Sequence, residues 1–109
     1  ILDQGGYIFI ALFEGEPLGA VAMIRMEDDT YELAKMGVRP AGQGKGIGFL
    51  LGQAVIEKAK VLGAKRLYLE TNSRLQPAIR LYEKLGFNRL LNKVPSPYAR
   101  SNVQMDRAL

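Results

Sequence analysis

Val38-Arg39-Pro40-Ala41-Gly42-Gln43-Gly44-Lys45-Gly46-Ile47-Gly48 is the stretch whose reading decides the fold. Its glycines at 42, 44, 46 and 48 alternate with other residues, so the backbone can bend sharply and a ligand can come close to it. Immediately downstream, Ile47, Leu50, Leu51, Ala54, Val55, Ala59 and Leu62 follow the i, i+3, i+4, i+7 spacing of one helical face. The pattern predicts a helix over 44–62, with Gly63 as its C-terminal stop. A helix that starts in such a loop directs unbonded N–H groups and its positive dipole end at whatever sits there. That is an anion site, most naturally for a phosphate or pyrophosphate.

Strands are expected on both sides of this unit. Tyr7–Phe13 is rich in β-branched and aromatic residues, and Glu14-Gly15-Glu16-Pro17 reads as a turn into a second strand over 18–26. Glu27-Asp28-Asp29 turns the chain into a third strand, Thr30–Val38. Strict alternation would put Glu32, Ala34, Met36 and Val38 on one face and Tyr31, Leu33, Lys35 and Gly37 on the other. Beyond the helix come a short strand at 66–70, a second helix at 76–85 with Pro77 in its first turn and Gly86 after it, and a strand at 87–91. A loop at 93–100 and a last strand at 101–109 complete the order β-β-β-α-β-α-β-β. The strand, loop and helix at 31–62 followed by the strand at 66–70 form a candidate right-handed crossover.

Composition narrows the chemistry. The 109 residues make one domain, 48% hydrophobic and 24% charged, with room for a small core. There is no cysteine and no histidine, which excludes disulfides, thiolate zinc sites, and Ser-His-Asp or Cys-His catalysis, so no metal site is expected. A general base must be Asp, Glu, Lys, Tyr or water. No apolar run reaches the length of a membrane helix and no signal pattern opens the chain, so a cytoplasmic protein without membrane contact is expected. The net charge of +4 is spread without a basic run, which suits an anionic small molecule better than nucleic acid.

Two common phosphate loops do not match. The glycine spacing is not Gly-x-Gly-x-x-Gly, and a hairpin rather than a first βα unit precedes it. A Walker loop needs Gly-Lys-Ser/Thr, whereas Lys45 is followed by Gly46-Ile47. The stretch Gln43-Gly44-Lys45-Gly46-Ile47-Gly48 instead resembles the cofactor motif Gln/Arg-x-x-Gly-x-Gly/Ala of the GNAT superfamily, the acyl-CoA-dependent N-acetyltransferases. A second signature of that family, Ala-x-x-Leu-Tyr-Glu-Lys-x-Gly-Phe, stands complete as Ala78-Ile79-Arg80-Leu81-Tyr82-Glu83-Lys84-Leu85-Gly86-Phe87. The resemblance runs from Tyr7 to the C-terminus.

The resemblance implies an α/β fold with a mixed, mostly antiparallel sheet flanked by helices. Acetyl-CoA is the implied acyl donor, and transfer of its acetyl group to a primary amine by direct attack in a ternary complex is the implied activity. It also implies roles for particular residues. Gln43, Gly44, Lys45, Gly46, Ile47 and Gly48 would hold the pyrophosphate, and the main chain of Met36, Gly37 and Val38 would bond the pantetheine arm. The N–H of Val38 would polarise the thioester carbonyl. Tyr82 would protonate the leaving thiolate, against a reading as a core aromatic. Glu32 would be the general base, against a reading as a solvated strand-edge carboxylate. Glu70 and Asp3 are weaker candidates for the base, and Lys45 and Arg39 can meet phosphates or remain solvated.

Leu75 stands where the family often has asparagine; Asn72, three residues earlier, is the alternative contact to the cofactor or to the end of a neighbouring strand. The family's first strand and helices are not recognisable, so the chain reads as an N-terminally incomplete domain. Such a domain should expose an apolar patch and associate with itself, for instance as a homodimer, or derive from a longer chain. A non-catalytic acyl-CoA-binding or regulatory module is the rival reading.

Overall fold

Three strands, β1 (Tyr7–Phe13), β2 (Glu16–Glu27) and β3 (Thr30–Val38), form an antiparallel meander in the computed structural model, which describes residues 6–27, 29–90 and 102–109. A single 3-10 turn at Pro40–Gly42 leads to helix α1 (Ile47–Val61), then β4 (Arg66–Thr71), α2 (Gln76–Lys84), β5 (Asn88–Arg89) and β6 (Val103–Ala108). The sheet order is β1-β2-β3-β4-β6-β5. Among the described residues, β3 and β4, the two strands joined through α1, are the one parallel pair, and the other four pairings are antiparallel. The element order and the mixed, mostly antiparallel sheet therefore agree with the sequence reading. Asp3, the loop at 93–100 and parts of the turn at Asp28 and of the last two strands lie outside the described residues.

The core lies on the helix side of the sheet. Val21, Met23, Leu33, Leu67, Leu69 and Met105 pack there against Leu51, Val55 and Ala59 of α1, Ile79 and Tyr82 of α2, and Leu85 just after it. Burying a side chain such as Leu67 or Leu69 stabilises the fold by roughly 1.5–3 kcal/mol each. On β1 the other face is open, with Ile8, Ile10 and Leu12 exposed at 56%, 58% and 65%. Among the described residues, no helix is long and apolar enough to cross a membrane.

Two local features depart from simple periodicity. Helix α1 starts at Ile47 rather than Gly44, because Gly44 and Gly46 hold φ of +78° and +75°, a left-handed conformation that a right-handed helix cannot contain. The alternation of β3 breaks at Lys35 and Met36. Ala22 pairs with Ala34 but Ala20 with Gly37, so these two residues oppose Val21 alone. Lys35 takes φ +52° at this bulge. Upstream of it Tyr31 and Leu33 face the helices; downstream Met36 and Val38 do. Glu32 and Ala34 thus sit on the opposite face from Met36 and Val38, which corrects the single face expected for all four.

Candidate active site

The loop is shaped before any ligand is considered. Gly42 N–H donates to Arg39 O at 2.8 Å, and the Gln43 side-chain amide donates to Val38 O at 3.1 Å, which folds the loop back on the end of β3. Gly46 caps α1, and the first helical bond runs from Leu50 N–H to Gly46 O at 3.1 Å. The amides of Ile47, Gly48 and Phe49 precede that bond and lie at the positive end of the helix. No acidic residue occupies the first turn of α1. A Cβ placed on Gly44 or Gly46 would meet no atom within 4 Å, so both glycines border open space.

Beside this loop the sheet comes apart. β3 and β4 pair at Thr30–Arg66, Tyr31–Leu67 and Glu32–Tyr68, where the ladder ends. β3 continues along β2 to Val38, while β4 continues along β6 to Thr71. The end of β3 therefore presents main-chain groups to a gap. Arg39 N–H donates to Leu18 O at 2.8 Å, and hydrogen-bonded pairs alternate along an antiparallel ladder. Val38, one residue earlier and opposite Gly19, accordingly directs its N–H and C=O away from β2, into the gap.

Two cavities meet in that gap. The larger, about 1140 Å3, is lined by Met36, Gly37 and Val38, by Gly42 through Leu50, and by Pro77, Ala78, Leu81, Tyr82 and Lys84 of α2. The smaller, about 460 Å3, is lined by Glu32 through Met36, by Glu70, Thr71, Asn72 and Leu75, and by Tyr82. Met36 and Tyr82 line both. Met36, Gly37, Val38 and the whole of 43–48, all expected at the acyl donor, thus border the larger cavity, whereas Arg39 does not. Asn72 borders the smaller one, and its Oδ1 accepts from Arg74 N–H at 2.8 Å in a local turn.

Tyr82 is held in place by the way α2 ends. Gly86, at φ +96°, donates its N–H to Glu83 O at 3.0 Å, and Phe87 donates to Tyr82 O at 3.0 Å. This is a Schellman cap, with Tyr82 and Phe87 at its two hydrophobic-contact positions. Their rings meet edge to face at 6.1 Å. Arg107 adds a bond from Nε to Leu85 O at 2.8 Å. The run from Tyr82 to Phe87 is therefore one capping unit that fixes the ring at the junction of the cavities. Burial pushes the Tyr82 hydroxyl above the ordinary tyrosine value, so it is a protonated donor at neutral pH.

Glu32 is 8% exposed on an interior strand, not a solvated edge carboxylate. Its cross-strand partner is Tyr68, itself 3% exposed, whose hydroxyl donates to Glu70 Oε2 at 2.9 Å. Burial first, then the bond to Glu70 and the charges of Glu70 and Glu32, raise the Tyr68 hydroxyl far above its ordinary range; Arg66 opposes them. Sequence reading did not single out Tyr68. Alternation within Arg66-Leu67-Tyr68-Leu69-Glu70 places it on the same face as Glu70, but its pairing with Glu32 is non-local. Lys45 and Arg39 are engaged with the protein. Lys45 Nζ stands 5.9 Å from the Phe13 ring centroid, and Arg39 Nη1 donates to Pro17 O at 3.2 Å.

Comparison with known proteins agrees with this geometry. Residues 1–87 match the Acetyltransferase (GNAT) family. The chain is 38% identical over 94 residues to the uncharacterized N-acetyltransferase YjgM of Escherichia coli, covering 83% of this chain and 56% of that protein. It is 39% identical over 87 residues to the N-acetylaspartate synthetase of Danio rerio, covering 79% of this chain and 31% of that protein. The chain thus spans about half, or less, of the length of these relatives. A Bacillus subtilis acetyltransferase solved in complex with CoA superposes with a TM-score of 0.84 at 25% identity, over 99% of this chain and 79% of that one. With its sheet, its glycine loop and its capped tyrosine helix, the chain belongs to the Acetyltransferase (GNAT) family.

Proposed function

We propose that this chain binds acetyl-CoA along the larger cavity and catalyses acetyl transfer to a primary amine held in the smaller one. The observation that carries the reading is the junction: Met36 and Tyr82 border both cavities at the point where β3 and β4 separate. A donor lying in one cavity and an acceptor in the other would meet there. Open space at Gly44 and Gly46 and the amides at the start of α1 suit a pyrophosphate. The diverging end of β3 suits an extended arm that bonds to main chain.

Acetyl-CoA supplies the activated acyl group; the chain supplies the rest. Glu32 takes a proton from the acceptor's ammonium, which frees the nitrogen lone pair. Val38 N–H donates to the thioester oxygen as negative charge develops on it. Tyr82 donates its hydroxyl proton to the departing sulfur. The C–S bond breaks as the C–N bond forms, the nitrogen's second proton passes to the Tyr82 phenolate so that the hydroxyl is restored, and the products are the acetylated amide and the CoA thiol. These 109 residues hold no cysteine on which an acyl thioester could form, which supports direct transfer. Holding both reactants in one gap supplies much of the rate.

Acetyl-CoA titration by calorimetry, followed by CoA release with a panel of amines, tests the proposal. The panel holds amino acids, peptide N-termini, polyamines and aminoglycosides. The expected result is binding, then release with at least one amine. Binding without release across the panel would support a non-catalytic acyl-CoA-binding module instead. Self-association through the exposed face of β1 belongs to the same reading, and light scattering checks it.

A further inference from the structure

The smaller cavity holds a second carboxylate that the mechanism above does not use. Glu70 lies two residues beyond Tyr68, the register partner of Glu32, on the strand that has diverged, and both carboxylates border the cavity. Between them stands Tyr68, nearly fully buried, in register with Glu32 and bonded through its hydroxyl to Glu70 Oε2 at 2.9 Å. The Arg66 guanidinium stands over the ring, 5.5 Å from its centroid, and Arg66 Nε is in turn 2.8 Å from Asp106 Oδ2. A buried tyrosine hydroxyl that donates to a cavity-lining carboxylate restricts how that carboxylate can turn.

We propose that Tyr68 is a positioning residue for the acceptor. It holds Glu70 so that one carboxylate oxygen accepts an N–H of the incoming amine while Glu32 removes the proton. An amine that approaches the junction carries more than one N–H. One carboxylate can take a proton, but a second fixed acceptor is needed to set the direction of the lone pair. Glu32 and Glu70, supplied by the two strands that separate, line the same cavity as Tyr82. Tyr68 itself transfers no proton. Its hydroxyl stays protonated, held so by burial and by the two neighbouring carboxylates.

This inference rests on the acetyl-transfer reading, and its test separates the two. Tyr68→Phe, Glu70→Gln and the double variant are compared with wild type for acetyl-CoA affinity, and for kcat and KM with the best amine of the panel. Phenylalanine and glutamine keep the shapes, so thermal melts should show folded proteins. The expected result is an amine KM raised about tenfold in each single variant, the scale of one charge-assisted hydrogen bond. Acetyl-CoA affinity should stay unchanged, and the double variant should be no worse than Glu70→Gln alone, because both remove one arrangement. Unaltered amine KM in folded Tyr68→Phe and Glu70→Gln, with wild type active, overturns the role of Tyr68. So does an additive double variant. Wild type that binds acetyl-CoA but acetylates no amine overturns the acetyl-transfer reading first, and this inference with it.

Discussion

The larger cavity is lined mainly by two neighbouring stretches, 36–38 and 42–50, and much of what it offers a ligand is main chain: the N–H of Val38, the amides at the start of α1, the open sides of Gly44 and Gly46. The smaller cavity is assembled from β3, β4 and α2, and its distinctive groups are the side chains of Glu32 and Glu70. A site made of backbone depends on local conformation, which glycine spacing and a helix start dictate. A site made of side chains from separate elements depends on register, which a bulge or an early end to a ladder can change by one residue. The first kind should tolerate most side-chain changes but not a changed backbone. The second should lose chemistry to a single conservative substitution.

The sharpest test of that contrast is at the shared wall. Tyr82→Phe should lower kcat by about 10²–10⁴-fold, the usual scale for a lost general acid, with little change in acetyl-CoA affinity. Wild-type turnover would reduce Tyr82 to its packing against Phe87. Glu32→Gln should cost about 10²-fold near neutral pH, where an amine acceptor is mostly protonated, and recover as pH rises and free amine accumulates. An unchanged pH–rate profile would assign the base elsewhere. In the backbone-built cavity, Gly46→Asp places a like charge a few ångströms from a bound pyrophosphate. At an effective dielectric near 20 that costs roughly 3–4 kcal/mol, or about 10²–10³-fold in affinity by calorimetry. Gly46→Asn, neutral and tolerant of the left-handed backbone, should restore most of it; equal losses in both would mean conformation, not charge, is at stake.

A smaller effect concerns stability. The raised Tyr82 pKa means that the unfolded chain releases this proton near pH 10.0, while the folded chain still holds it. The unfolded state then binds fewer protons, so stability is full below that pH and falls above it, by about 1.4 kcal/mol per pH unit for one group. Tyr68, whose hydroxyl is also raised, contributes a slope of the same sign, so urea unfolding between pH 8 and 11 should show the two together, and Tyr82→Phe should remove about half of it. Smallest of all should be Lys45→Ala. An exposed charge is worth about 0–1 kcal/mol, so acetyl-CoA affinity should fall less than about fivefold at low salt and hardly at all at high salt. A much larger loss would show that a side chain, rather than the backbone, dominates the loop.

Most of the fold was legible along the chain. Tyr7–Phe13 and Thr30–Val38 begin and end where β-propensity and turn residues put them, α1 lies where its apolar spacing predicts, and α2 lies where Pro77 and Gly86 bound it. The misplacements have local causes. Two left-handed glycines delay α1 to Ile47. The strand expected at 87–91 is Asn88–Arg89 here, because Phe87 completes the cap of α2 with its N–H on Tyr82 O. Glu32 read equally well as solvent-facing or catalytic, since a lone acid in an alternating strand carries no sign of whether it is covered.

What the sequence determined by itself is whatever depends on near neighbours: the loop that bends at Gly44 and Gly46, the helix that starts after it, and the cap that sets Tyr82 beside Phe87. These are set within one or two turns of chain, where hydrogen bonds and backbone sterics leave few choices. What only the tertiary structure decided is the bulge at Lys35–Met36, the end of the β3–β4 ladder at Glu32–Tyr68, and the meeting of Glu32, Tyr68 and Glu70 around one cavity. Those contacts join residues far apart in sequence. Their register follows from how the whole sheet packs against α1 and α2, and no local pattern encodes it.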